Sequence, residues 1–178
     1  MSVYRRIIAP LGACALSILA LPVSAHVSLE TREAAVAGSY KAVFRVPHGC
    51  KGAATIGLRV KIPEGVIGVK PMPKPGWTLA TVKGKYAGSY SYYHRSTVSE
   101  GVTEVAWSGG ALPDDFYDEF VMQVYLTDSL KPGTMLYFPV VQECAGGAVD
   151  RWIEIPAEDR KADDYEAPAP GLKLLPRK

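Results

Sequence analysis

One short stretch, Val23-Ser24-Ala25-His26, sets up the chemistry of this sequence. Val-Ser-Ala is a small-residue cleavage pattern of the kind that ends a secretory signal. A cut after Ala25 makes His26 the first residue of the mature chain. A histidine there offers a free α-amine and ring Nδ1, which close a six-membered chelate on a metal ion, a histidine brace. Nitrogen ligands suit Cu(II), which stands highest among the first-row divalent ions at such sites. The amine and imidazole have reference pKa values of about 7.7–8 and 6.5, so both shed protons near neutral pH, as metal ligation requires. No other position of the chain supplies this pair. Some residue must follow any cleavage site, so the histidine alone does not prove a ligand. A different amino-terminal copper motif needs histidine third in the mature chain, where Ser28 stands instead.

The cleavage rests on the first 25 residues. Arg5 and Arg6 form a positive n-region and residues 7–21 an apolar h-region, interrupted by Pro10. The run is short for a spanning helix, and Pro22 closes it. Of the 178 residues, 153 remain once the first 25 are removed, and the formal net charge falls from +2 to 0. Neither value suits a nucleic-acid binder, which needs clustered Lys and Arg to neutralise phosphates. With one apolar stretch at the extreme amino end, multi-pass membrane organisation is excluded, and no stable span is left after processing. The protein is expected in the periplasm or outside the cell. Cys14 leaves with the signal, so Cys50 and Cys144 remain. Two cysteines in an exported chain most simply form one disulfide; free thiols or a Cu(I) thiolate pair are the alternative.

Other reactive residues are less distinctive. His48 lies in a Pro-His-Gly turn and His94 ends the aromatic run 90–93; both read as turn or surface histidines. Met122 is in phase with core residues, and Met72 alone looks loop-exposed, too few for a Met-rich Cu(I) site. Asp114, Asp115, Asp118 and Glu119 read as a solvated turn leading into a strand. Nucleophile-elbow, phosphate-loop, dinucleotide and His-Glu-x-x-His motifs are missing.

The elements that must carry His26 are strands. Residues 54–62 alternate strictly, and Tyr40, Ala42, Phe44, Val46 and Phe120, Met122, Val124, Leu126 repeat the period of two. Turns such as Pro63-Glu64-Gly65 and Lys131-Pro132-Gly133 separate the runs. About nine short strands are expected, with little helix, in one β-sandwich domain spanning 26–157. The charged, Pro-rich residues 158–178 read as a tail or a segment laid over the body. Trp107 is in phase with core residues. Trp152 alternates with Asp150 and Glu154, which places it on the polar side of its strand beside carboxylates, as part of a site or as a tryptophan packed under the tail.

The mature chain resembles the YcnI-like family of exported copper-binding proteins. The resemblance is carried by His26-Val27-Ser28-Leu29-Glu30, Arg45-Val46-Pro47-His48-Gly49-Cys50, Lys70-Pro71-Met72-Pro73-Lys74-Pro75-Gly76-Trp77, Leu112-Pro113-Asp114-Asp115-Phe116-Tyr117-Asp118-Glu119-Phe120, Phe138-Pro139-Val140-Val141-Gln142-Glu143-Cys144 and Arg151-Trp152. It spans nearly all of residues 26–156. It implies a cupredoxin-like or immunoglobulin-like β-sandwich. It implies Cu(II) held by a single-histidine brace at His26, a carboxylate completing the site and a tryptophan beside it, for which Trp152 is the best match. Glu33, seven residues after the brace, and Glu119 are the candidate carboxylates, with Glu30 and Asp118 behind them. The family role implied is a copper chaperone or scavenger, with other periplasmic copper chaperones or an inner-membrane copper importer as partners.

Two other functions compete with a non-enzymatic Cu(II) protein. One is a copper-dependent oxidase similar to the lytic polysaccharide monooxygenases, whose brace takes a second histidine that only His48 or His94 could supply here. The other is an exported interaction module that binds no metal.

Overall fold

The computed structural model describes residues 26–93, 96–157 and 159–177. The expected signal segment and His94 lie outside the described residues. Among those described, no helix is long and apolar enough to cross a membrane.

The period-two runs become strands of two facing sheets. The first sheet has the order β1 (Ser28–Leu29), β3 (Gly38–Val46), β8 (Asp118–Leu126), β5 (Val66–Pro71). The second has the order β11 (Val149–Trp152), β10 (Val140–Cys144), β4 (Thr55–Lys61), β7 (Thr97–Leu112), β6 (Thr78–Ser91). Their inward residues meet in one core: Phe44, Phe120 and Met122 from the first sheet pack against Leu58, Trp107 and Val140 from the second. The Trp107 and Phe120 rings lie 5.5 Å apart, edge to face, an arrangement aromatic pairs favour. Three-residue turns at Ala145–Gly147 and Ala162–Asp164 are 3-10 helical. The fold is the expected all-β sandwich.

Three departures from the expected layout have physical causes. Among the described residues the strands number twelve rather than nine, because β1, β2 (Glu33–Ala35) and β9 (Met135–Tyr137) are too short to show a period. Residues 159–177 are not a free tail. β12 (Gly171–Leu175) lies between β2, to which it runs parallel, and antiparallel β9 in a third sheet, with Leu172 and Leu174 buried in the common core. The folded domain therefore extends past residue 157. Finally, the strict alternation of residues 54–62 breaks at its start. A register shift between Thr55 and Gly57 turns Thr55 inward and leaves Ile56 exposed, which is what an extra residue in one strand does to the faces.

Candidate metal centre around His26

His26 is placed by the strand that follows it. Val27 and Leu29 are buried, and Leu29 pairs with Phe44 across β1 and β3. With the odd positions held in the core, His26 and Ser28 share the opposite, half-buried side. Ser28 pairs with Arg45, and Arg45 with Glu119 on β8, so these three form one row across the sheet. His26 stands one step further along, where it shares a cavity of about 220 Å³ with Arg32, Arg45, Pro47, Tyr117 and Asp163.

The ring of His26 meets Trp152, with centroids 5.3 Å apart and planes tilted by 59°. Trp152 is not on an outward polar face, as its neighbours had led us to expect. It is 7% exposed, while Ile153 and Ile155 are the residues that face solvent. The cause is position: Trp152 ends β11 opposite Val140, on the core-facing side of an edge strand. The chain after it folds back, and Glu154 bridges to Pro168. The tryptophan therefore shares a cavity wall with Glu166 and Ala167 of the carboxyl-terminal segment, and its ring meets His26.

A polar residue that sequence reasoning passed over fixes the indole. Trp152 Nε1 donates to Gln142 Oε1 at 3.0 Å. Gln142 Nε2 donates to the His48 carbonyl at 2.8 Å and to Thr55 Oγ1 at 2.7 Å. An indole only donates and a carbonyl only accepts, so the amide has a single workable orientation. Gln142 is 1% exposed and lies beside the Cys50–Cys144 disulfide, whose Cα atoms are 6.0 Å apart. The available signal was its phase: Gln142 alternates with Val140 and Cys144, a polar side chain at an inward position. The disulfide itself is the pairing expected of two exported cysteines.

The carboxylates are distributed unequally. Glu119 accepts a hydrogen bond from the Tyr117 hydroxyl, and the Arg45 guanidinium lies 5.5 Å over the Tyr117 ring. Burial, then the bond to Glu119, raises the pKa of Tyr117 against the opposing pull of Arg45. Glu33 is exposed on β2, opposite Lys173 of β12. Its neighbour Arg32 lines the His26 cavity. Asp163, which the sequence placed in a tail, lines that cavity and a second one of about 400 Å³ that also includes His26. Among the described residues no three His, Cys, Asp or Glu side chains converge as a metal cluster. A brace does not need three, since its two nitrogens come from one residue. Of the other histidines, the described one, His48, turns its Nδ1 to the Gly49 carbonyl.

Residues 26–174 match the family described as a domain of unknown function, DUF1775. The chain belongs to the DUF1775 family. That match starts at His26 and runs into β12, so the family domain includes most of the segment that composition separates. Among solved structures, the DUF1775 chain is similar to an uncharacterized protein from Nocardia farcinica described as having an immunoglobulin-like fold. The two are 27% identical, with a TM-score of 0.63, over 85% of this chain and 99% of the other. A DUF4466 family protein from Parabacteroides merdae also aligns at 10% identity over 78% of this chain and 41% of that one, but its TM-score of 0.30 carries no argument. No curated protein matches the chain. Of the two sandwich types expected, the Nocardia farcinica protein is described as immunoglobulin-like.

Proposed function

We propose that the mature protein is an exported, non-enzymatic Cu(II)-binding protein that delivers or buffers copper. The observation that carries the proposal is the placement of His26: at the start of the family domain, half-buried in a cavity, with its ring against a tryptophan that a buried amide holds in place. In this reading cleavage after Ala25 supplies the α-amine, and His26 contributes amine and Nδ1 as the brace. Glu33, Glu119 or Asp163 adds the oxygen ligand, and Trp152 packs beside the ring. The resemblance to YcnI-like proteins supports the same assignment and points to periplasmic copper chaperones or an inner-membrane importer as the exchange partners. Bound Cu(II) would be cargo here, held by nitrogen donors that rank it above other divalent ions.

The test is a Cu(II) titration of the processed protein followed by electron paramagnetic resonance. One stoichiometric nitrogen-ligated site is expected. Placing one extra residue before His26 converts the amine to an amide and should abolish tight binding. Unchanged affinity in that extended form would sink the brace. Glu33→Gln, Glu119→Gln and Asp163→Asn, compared side by side, assign the oxygen ligand by which one alters the spectrum.

A further inference from the structure

The surroundings of His26 are basic. The larger cavity brings Arg32, Arg160 and Lys161 together, and the smaller one adds Arg45, with Arg32 lining both. Among the described residues Asp163 is the one carboxylate lining either. Among the described residues none of these four cations forms a salt bridge; the pairs formed there are Arg59–Glu143 and Lys74–Asp118. Neutral or stacked contacts hold the three arginines, and the Lys161 backbone N–H donates to the Asp164 carboxylate at 2.9 Å. Arg32 Nε donates to the Leu29 carbonyl at 3.4 Å, and Arg45 lies over Tyr117. Arg160 lies 4.5 Å over Tyr165 and donates to the Asp164 carbonyl at 3.0 Å. From the strand paired with Arg45, Glu119 adds a further negative charge outside the cavities, as Asp164 does beside Lys161.

Unpaired like charges around a small cavity repel one another, and a bound anion relieves that repulsion. Besides His26, Ser28 and Asp163, the rest of the larger cavity is mostly apolar: Val27, Met135, Tyr137 and Pro168 are part of its wall. Its volume of about 400 Å³ falls at the small end of the range that holds small molecules, roughly 300–1,000 Å³. The cations stand on two sides. Arg45 is on the sheet, and Arg160 and Lys161 are on the loop between Trp152 and β12, with Arg32 where the cavities adjoin. Guanidinium groups match carboxylates through paired hydrogen bonds.

We infer that these adjoining cavities bind a small organic anion with an apolar body and two carboxylates, one at Arg45 and Arg32, the other at Arg160 and Lys161. This site goes beyond the copper reading and needs no metal. A copper complex of such an anion would place both at His26 together, but the anion is tested without copper.

The experiment is calorimetric titration of the metal-free protein of residues 26–178 with glutarate, with butyrate and sulfate as comparison ligands. Expected is saturable one-to-one binding of glutarate, with butyrate and sulfate each at least about tenfold weaker. Arg160→Gln, on the exposed loop, should weaken glutarate about tenfold, the equivalent of one charge-assisted contact. Arg45→Gln, on a strand independent of that loop, should do the same, so a folding defect in one variant leaves the other to decide. Lys83→Gln, outside both cavities, should bind as the parent does. Absence of saturable binding, parent-like affinity in the well-folded Arg variants, or sulfate as tight as glutarate would each overturn the proposal. A negative result leaves the Cu(II) site standing, and failure of Cu(II) to bind leaves this one.

Discussion

Gln142 joins four parts of the chain through one side chain. Its three hydrogen bonds reach the indole of β11, the backbone of the turn after β3 and the hydroxyl that begins β4. Replacing it by leucine keeps most of the volume and removes every partner. The Trp152 N–H is then buried unpaired, at about 1–3 kcal/mol, and the Thr55 hydroxyl keeps only the weak contact to Cys144 Sγ at 3.8 Å. Gln142→Leu should therefore lower the free energy of unfolding by about 2–4 kcal/mol, read by urea denaturation with the disulfide intact. A loss below about 0.5 kcal/mol would mean that water or a shifted side chain replaces the amide. At this scale the start of the family domain at His26 was legible, because the residues around it are local information. Gln142 was not, because its partners lie on other strands and the sequence shows only its phase. Trp152 misled for a related reason: the acidic neighbours of a strand end say little about which face the end turns inward.

Strands β3 and β8 were readable because nine consecutive pairs keep one register, with buried residues recurring at alternate positions. β12 was not, because five residues in a charged segment acquire a face only when β2 and β9 close around them. Its burial makes a direct prediction. Leu174→Ala removes a fully buried side chain and should destabilise by about 2–5 kcal/mol, a range set by how far the cavity collapses. Thermal unfolding measures it, and a surface leucine would show almost no change. β6 and β7 form a long ladder in which Gly84 and Gly101 pair with each other. A Cβ at Gly101 would fall 1.9 Å from the Tyr86 hydroxyl, so the glycine makes room for a ring. Gly101→Val should displace Tyr86 and lower the melting temperature, whereas an ordinary exposed strand position would gain stability from a β-branched residue.

Across the whole molecule Cys50 and Cys144 tie positions 94 residues apart, linking the turn after β3 to the end of β10. Closing a loop of that length removes about 4–5 kcal/mol of freedom from the unfolded chain in the entropy model. The Cys50→Ala, Cys144→Ala pair should lose stability of that order in chemical denaturation. A loss near zero would mean that residual structure already restrains the unfolded chain. The sandwich class and the disulfide were legible because both follow from sums over many residues or from a count of two. The cavities were not, since Arg32, Arg45, Arg160 and Lys161 come from three separate regions and meet only after β12 has docked.

Of the three tryptophans, Trp152 is the one whose ring meets His26, whereas Trp77 and Trp107 both pack on Phe120. The protein thus carries its own optical sensor. A paramagnetic ion on the His26 ring would sit close enough to Trp152 to quench its emission, and the other two indoles would continue to fluoresce. Processed protein titrated with Cu(II) should therefore dim partially and then plateau, and Trp152→Phe should remove most of that response without removing the ion. A response that survives in Trp152→Phe would place the ion near one of the other two rings.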